Sequence, residues 1–442
     1  MSVRAFVQRG SVRMSEKIQK RVLIAAGLFC LWLPVFSAEA ASETSTSLPD
    51  LIQKAQEKNA ALRAKKEAYE ASRSRVVEAW FPDDPRIGVD VEGQSSLFSF
   101  GSRTDNEYMV EQTIPFPSKL FLKGVIASKE TAGRFEQYKE EQRNLVWHLE
   151  QPYYELYLLK KTREVLEDNR RLLEQLAQSA RARYESNQAP QADLLRAQIE
   201  LSKNSIEIFN ALQKEHLAQA HFSHILNESF EKEYAVISAP ELREALPYSR
   251  AEFEKLAVQK RPELKALEIA VERAKANQSL AHSNWLPDIT GRIEARQFQG
   301  ESGTREKDTF IGFSVPVWSL LKGAGGGWES SDHEVKEAEA VYLQMKNETL
   351  LKVHEAFSKV QSAENSLTIY ENSILPQAKQ EVEVALSSYE AGRVDFQALM
   401  DSQKILKEAQ LDYYKSWAEY WKGFSDLRLA VGGDWVKGGK VS

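Results

Sequence analysis

One cysteine, Cys30, stands among 442 residues and lies inside an apolar N-terminal run, so the rest of the chain has no disulfide framework and no thiolate metal site. Glycine and proline are scarce as well. Their 21 and 14 copies gather at a few places, and between those places very long stretches contain almost nothing that breaks a helix. Basic excess is missing too. Without its first forty residues the chain keeps 52 Lys and Arg against 62 Asp and Glu, a net charge of −10, whereas a nucleic-acid binder leans the other way. There is no Ser-His-Asp elbow, no Cys/His set at zinc spacing and no phosphate-cradling loop. Gly323 to Gly327 is glycine-rich but lacks the phosphate-loop pattern, and it reads as a loosened turn before a helix. These absences argue against an enzyme, a cofactor or a nucleic-acid partner.

Residues 1–40 have the form of a secretory leader. Lys17, Lys20 and Arg21 precede an uncharged run from Val22 to Phe36, and Ala38-Glu39-Ala40 supplies the small residues that signal peptidase reads. The run is too short for an anchor, which needs about 20 apolar residues, and Pro34 interrupts it. Gly27-Leu28-Phe29 before Cys30 is not a lipoprotein context, and Met14 is an alternative start.

What the chain does have, it has twice. Trp80-Phe81-Pro82-Asp83 recurs as Trp285-Leu286-Pro287-Asp288, Tyr184-Glu185 as Tyr389-Glu390, and Leu194 and Gln198 as Leu399 and Gln403, all 205 residues apart. A period this long points to two fused halves of one assembly rather than a solenoid. The expected organisation is a first repeat over 41–228, an irregular segment over 229–249, a second repeat over 250–432 and a tail over 433–442. Each repeat should hold a very long helix, near 119–187 and 328–391, that turns and returns as a shorter one, near 190–227 and 395–430. Pro152 and Pro376 should kink these helices or unwind them locally. In the last helix Leu399, Leu406, Tyr413, Tyr420 and Leu427 recur every seven residues beside a small row, Ser402, Ala409, Ser416, Gly423 and Ala430. That pattern predicts close, left-handed packing.

After each Trp-x-Pro-Asp motif the period falls to two. Ile87, Val89 and Val91 alternate with Arg86, Asp90 and Glu92, while Ile289, Ile293 and Ala295 alternate with Arg292, Glu294 and Arg296. Each stretch should form a hairpin with a later strand, over 86–115 and 288–317. One face is apolar and the other charged, as in strands of an outer-membrane barrel with lipid outside and a polar lumen inside. Four strands cannot close a barrel and open edges in lipid are costly, so copies are needed; three copies give twelve strands and begin to leave a passage. The rival reading is a periplasmic coiled-coil scaffold or adaptor whose small sheet never enters a membrane.

The chain resembles TolC-like outer-membrane efflux proteins from about Leu48 to Gly432. The resemblance rests on Ile374-Leu375-Pro376-Gln377-Ala378, then Ser388-Tyr389-Glu390-Ala391-Gly392 and Leu399-Met400-Asp401-Ser402-Gln403, with a first-half counterpart around Tyr184 and Gln191 to Gln198. It implies a mostly α fold in which each repeat joins a β-hairpin to a long antiparallel helical hairpin. A homotrimer would form a twelve-stranded barrel in the outer membrane of a Gram-negative cell and an α-helical tunnel across the periplasm. Such a duct serves a periplasmic adaptor and an inner-membrane transporter and does no catalysis.

The resemblance also implies site residues. Asp401 matches one carboxylate of the family's periplasmic constriction, and Ala398 stands where the second would be. The turns Gln188, Ala189, Pro190, Gln191 and Gly392, Arg393, Val394, Asp395 would meet the adaptor, and Asp90, Glu92, Arg292, Glu294 and Arg296 would face the barrel lumen. Ile114-Pro115-Phe116-Pro117-Ser118 is similar to the hairpin exit of the family's heavy-metal branch, with Ser118 where Gly is usual. Metal ions and other small molecules both stay open as cargo. His221 and His224, three apart on one helix, could share a face, but no Cys or acidic cluster accompanies them, and no metal site is assigned.

Overall fold

A computed structural model describes residues 47–92, 105–230, 234, 246–298 and 306–433. The expected leader, both hairpin loops, most of segment 229–249 and nearly all of the tail lie outside them. The first repeat runs α1 (Leu48–Lys58), α2 (Ala60–Ala79), β1 (Arg86–Glu92), β2 (Asp105–Ile114), α3 (Pro117–Glu185) and α4 (Gln191–Leu226). The second runs α5 (Arg250–Lys260), α6 (Pro262–Ser283), β3 (Ile289–Gln297), β4 (Glu306–Phe313) and α7 (Val317–Lys322). It continues through a wide turn at Gly323–Gly327 to α8 (Trp328–Ile369), a second wide turn at Tyr370–Ile374, α9 (Leu375–Glu390) and α10 (Phe396–Val431).

Local chemistry places the breaks. The Asn59 side chain accepts from the Leu62 N–H at 3.0 Å, which starts α2 where α1 stops. Ser249 and Glu252 form a reciprocal capping box for α5, and Pro262 opens α6, where a missing N–H costs nothing. Helix α3 holds 69 residues, about 100 Å at 1.5 Å per residue. It runs through Pro152 as one continuous helix. Leu149, Tyr153, Tyr154 and Leu156 are buried on either side of the proline, so packing holds the helix where one hydrogen bond is missing. Pro376 behaves as expected: it follows the five-residue wide turn, in the first turn of α9, where its ring displaces no donor. Gly326, at φ +122°, breaks the helical path between α7 and α8.

The larger core joins α3, α4, α5, α8 and α10 through Tyr154, Phe222, Phe253, Val360, Trp421 and Leu427 among others. A smaller cluster, with Leu173, Leu176, Tyr389, Phe396 and Leu399, lies near the hairpin turns. Every member of the small row of α10 is buried, and a Cβ on Gly423 would come within 3.2 Å of Val360. At Gly423 the small row lets α10 lie close against α8.

The four strands form one antiparallel sheet in the order β1-β2-β3-β4. The two hairpins are joined by β2 and β3, with Ile114 opposite Ile289 and Val110 opposite Ile293.

Candidate functional site

The registers sort the strand residues onto two faces. Ile87, Val89, Tyr108, Val110, Ile293, Ile311 and Phe313 share one face and are exposed there, Ile293 at 61% and Ile311 at 70%. Asp90, Glu107, Glu111, Arg292, Glu294, Arg296 and Asp308 share the other. Among them Glu294 is only 8% exposed; Arg292 Nε approaches it at 2.6 Å, and Arg296 Nε lies 3.4 Å from Glu107. The Arg292 guanidinium also sits 5.4 Å from the Phe310 ring centre. Of the predicted polar set, Asp90, Arg292, Glu294 and Arg296 thus lie together. Glu92 follows them in register, but its side chain is outside the described residues.

Where the hairpins meet the helices, Trp80, Phe81, Phe121, Trp285 and Trp318 are exposed. Trp80 lies so close over Gly124 that a Cβ there would come within 2.4 Å of its ring, so the glycine is required by the indole. Asp288 has a task that its motif did not disclose. Its Oδ1 accepts from the Phe116 N–H at 3.0 Å and from Lys119 Nζ at 2.9 Å, tying the start of α3 to the strand of the other repeat.

At the far end, the two helical turns are built alike. Asn187 at φ 57° and Gly392 at φ 70° are 205 residues apart, and each takes the left-handed conformation. Gln188 N–H donates to Arg183 O at 2.7 Å, as Arg393 N–H does to Ser388 O at 2.8 Å. Gln188, Pro190, Gln191, Gly392, Arg393, Val394 and Asp395 are exposed and Ala189 is half-buried, so the surface expected to dock an adaptor is accessible in the single chain. Asp395 caps α10 through the Ala398 N–H at 2.9 Å.

Two residues that sequence reasoning passed over join the turns to each other. Arg183 donates to the Tyr389 carbonyl, and its guanidinium lies 4.6 Å from the Tyr389 ring centre. Arg196 donates to Gln397 Oε1 at 2.8 Å, and Gln397 in turn donates to Asp401 Oδ1 at 2.9 Å. Asp401 is exposed on the rim of a groove of about 610 Å³ between α4 and α10. In the first repeat Asp193 occupies the position equivalent to Ala398. Burial holds its carboxyl above the ordinary aspartate range, and Asp395 adds to this while Arg196 and Arg183 oppose it.

Among the described residues no three His, Cys, Asp or Glu side chains are grouped to hold a metal, and no helix is long and apolar enough to cross a membrane. His221 and His224 border a groove of about 850 Å³ beside Pro152.

The long-helical chain with its two-faced, four-stranded sheet shares its fold with solved outer-membrane channels. Residues 255–433, most of the second repeat, match the model of the outer membrane efflux protein family. No curated protein sequence matches the chain. Among solved structures, the outer-membrane channel OprN has 17% identity over 88% of this chain and 90% of its own, with a TM-score of 0.77. CusC has 15% identity over 88% and 93%, at 0.76, and VceC from Vibrio cholerae 16% over 87% and 96%, also at 0.76.

Proposed function

We propose that the chain is the exit duct of a tripartite efflux system. Three copies close a twelve-stranded barrel in the outer membrane, and their helices form a tunnel into the periplasm, where the leader delivers the chain. The observation that carries this reading is the sheet: one face exposed and apolar, the other charged, with outer edges that no strand among the described residues covers, and joined to a helix about 100 Å long. Backbone groups at such edges cannot remain unpaired in lipid, and closure on further copies removes the edges. Asp90, Glu92, Arg292, Glu294 and Arg296 then face a watery lumen, and the Trp80, Trp285 and Trp318 rings suit the membrane interface.

At the other end, Gln188 to Gln191 and Gly392 to Asp395 are the surfaces that a periplasmic adaptor meets end-on, and an inner-membrane transporter supplies the energy. Small molecules or metal ions pass through without being held. Asp401 stands just inside the second turn, where three copies around an axis concentrate counter-ions. The test is mass measurement of the detergent-purified protein, with heat-modifiable migration of the outer-membrane fraction. A trimer that runs as a compact species until boiled is expected; a stable monomer that retains strand content would refute the architecture.

A further inference from the structure

Strands β1 and β4 end the four-stranded order, and no strand among the described residues pairs with their outer sides. The chain nevertheless contains a template for joining them, because β2 and β3 already make the equivalent junction between its two repeats. Laying Ile87 on Gly291 and Val110 on Ile311 reproduces both hairpins: Arg86 opposite Glu111 falls on Thr290 opposite Gly312, and Asp90 opposite Glu107 falls on Glu294 opposite Asp308. The same correspondence sets Pro115 on Pro316, the prolines that follow the two hairpins.

Carried over to the β2–β3 ladder, this correspondence fixes a register between copies. Val110 opposite Ile293 becomes Ile311 opposite Val89 of a second copy, and Gln112 opposite Gly291 becomes Phe313 opposite Ile87. On the charged face, Glu111 opposite Arg292 becomes Gly312 opposite Gly88. A slip of one residue would turn the apolar side of one strand to the polar face. A slip of two would separate the glycines, and the neighbouring side chains show why they belong together. A Cβ on Gly312 would lie 2.5 Å from Phe310 Cε1, and one on Gly88 would lie 2.5 Å from Met109 Cε, so a ring and a thioether already cover these bare stretches of backbone. Phe310 is an exposed ring on a face otherwise made largely of charges, where it lies over Gly312 and beside Arg292 at the outer edge of the sheet.

We propose that β4 pairs antiparallel with β1 of a second copy in this register, and that Phe310 closes the seam by lying over the Gly312–Gly88 pair. The proposal rests on the trimer reading, which already requires the outer strand of another copy, and adds the register and the closing side chain. The test uses the full chain with Cys30→Ser and the pair Ile311→Cys and Val89→Cys, oxidised in isolated outer membranes. Opposed residues in an antiparallel pair have Cα atoms about 4.5–5.5 Å apart, within disulfide reach of roughly 4.4–6.8 Å. Covalent trimers that revert to single chains on reduction are expected, with little product from Ile311→Cys paired with Ile87→Cys or Val91→Cys. Preferential linking of either displaced pair, or no linking in a protein whose detergent mass is trimeric, would overturn the register and leave the trimer standing. A monomeric mass would remove the trimer itself, and the seam with it. Phe310→Ala should lower the temperature at which trimers dissociate in SDS while Phe310→Tyr preserves it; no difference between them would take Phe310 out of the seam.

Discussion

Replacing Ile293 with arginine should block assembly, and the structure says how strongly. Ile293 lies midway along β3, opposite Val110 and Thr309, on the face that carries Ile87, Val89 and Ile311, and it is 61% exposed in the single chain. If that face meets lipid, mid-strand corresponds to mid-membrane, where an arginine costs about 2–4 kcal/mol. Three copies raise the penalty to roughly 6–12 kcal/mol per trimer, as large as the whole stability of an ordinary domain. Val89→Arg, at the equivalent height on β1, should behave in the same way. Asp90→Arg is the control, since its neighbour across the ladder is Glu107 on the charged face and the new cation meets an anion. The assay is the fraction of chain recovered in the outer membrane as a heat-modifiable trimer. Ile293→Arg and Val89→Arg should lose nearly all of it, and Asp90→Arg should keep most. Equal assembly of all three, or failure of Asp90→Arg alone, would reverse the assignment of faces.

Gly392→Val places a β-branched residue at φ 70°, a strain of about 1–3 kcal/mol at a turn, and should abolish export while trimers still reach the outer membrane. Normal resistance in that variant would move the docking site elsewhere. Glu140, in the helical region, has its carboxyl held above the ordinary glutamate value by burial, against the pull of Arg143 and Arg261. Its ionisation therefore opposes folding: stability is greatest below the ordinary value and falls as pH rises through the raised one, so Glu140→Gln should flatten thermal stability across that window and raise it at neutral pH. A melting profile against pH that matches the wild type would refute this. Asp401→Asn should weaken cation preference and relieve block by multivalent cations in planar bilayers, whereas Asp395→Asn, farther toward the turn, should change both less; identical recordings for Asp401→Asn would leave helix packing as the closing element.

Much of the fold was legible because its rules are local and stated twice. The alternation of Ile87, Val89 and Val91 with Arg86 and Asp90 fixes a strand and its faces whatever lies around it. The seven-residue small row of α10 likewise announced its own burial. Even the left-handed Asn187 could have been found by stepping 205 residues back from Gly392, since asparagine is among the residues that accept that conformation. Long-range chemistry was not legible. Arg183 and Tyr389 meet across 206 positions, and Asp288 reaches Lys119 across 169, so no spacing rule connects them. The strand register also escaped the repeat, because the 205-residue offset that places the tryptophans and turns does not hold through the hairpins, where Ile87 corresponds to Gly291.

The distribution of packing along the helices says which end of such a duct can move. Tyr153, Tyr154, Phe222, Phe253, Tyr420, Trp421 and Phe424 form a broad aromatic core, reinforced by Glu150, 1% exposed, which accepts from Ser425 at 2.5 Å and Arg428 at 2.7 Å. Glu150 is buried while Arg428 is half-buried, so losing the arginine would take this cation from a buried carboxylate, and α3 and α10 are fastened together there. Toward the turns the apolar cluster is smaller, and between the clusters α3 and α4 meet through a buried Asn169–Asn204 hydrogen bond of 2.8 Å. Beyond it the two repeats meet in the smaller apolar cluster, where Leu173 and Leu176 pack with Tyr389, Phe396 and Leu399, flanked by Arg183 on Tyr389 and Arg196 on Gln397. Cooperative opening draws on the least stable part of a structure. If the chain is the proposed duct, the smaller apolar cluster makes the turn end, rather than the aromatic core, the end that loosens first.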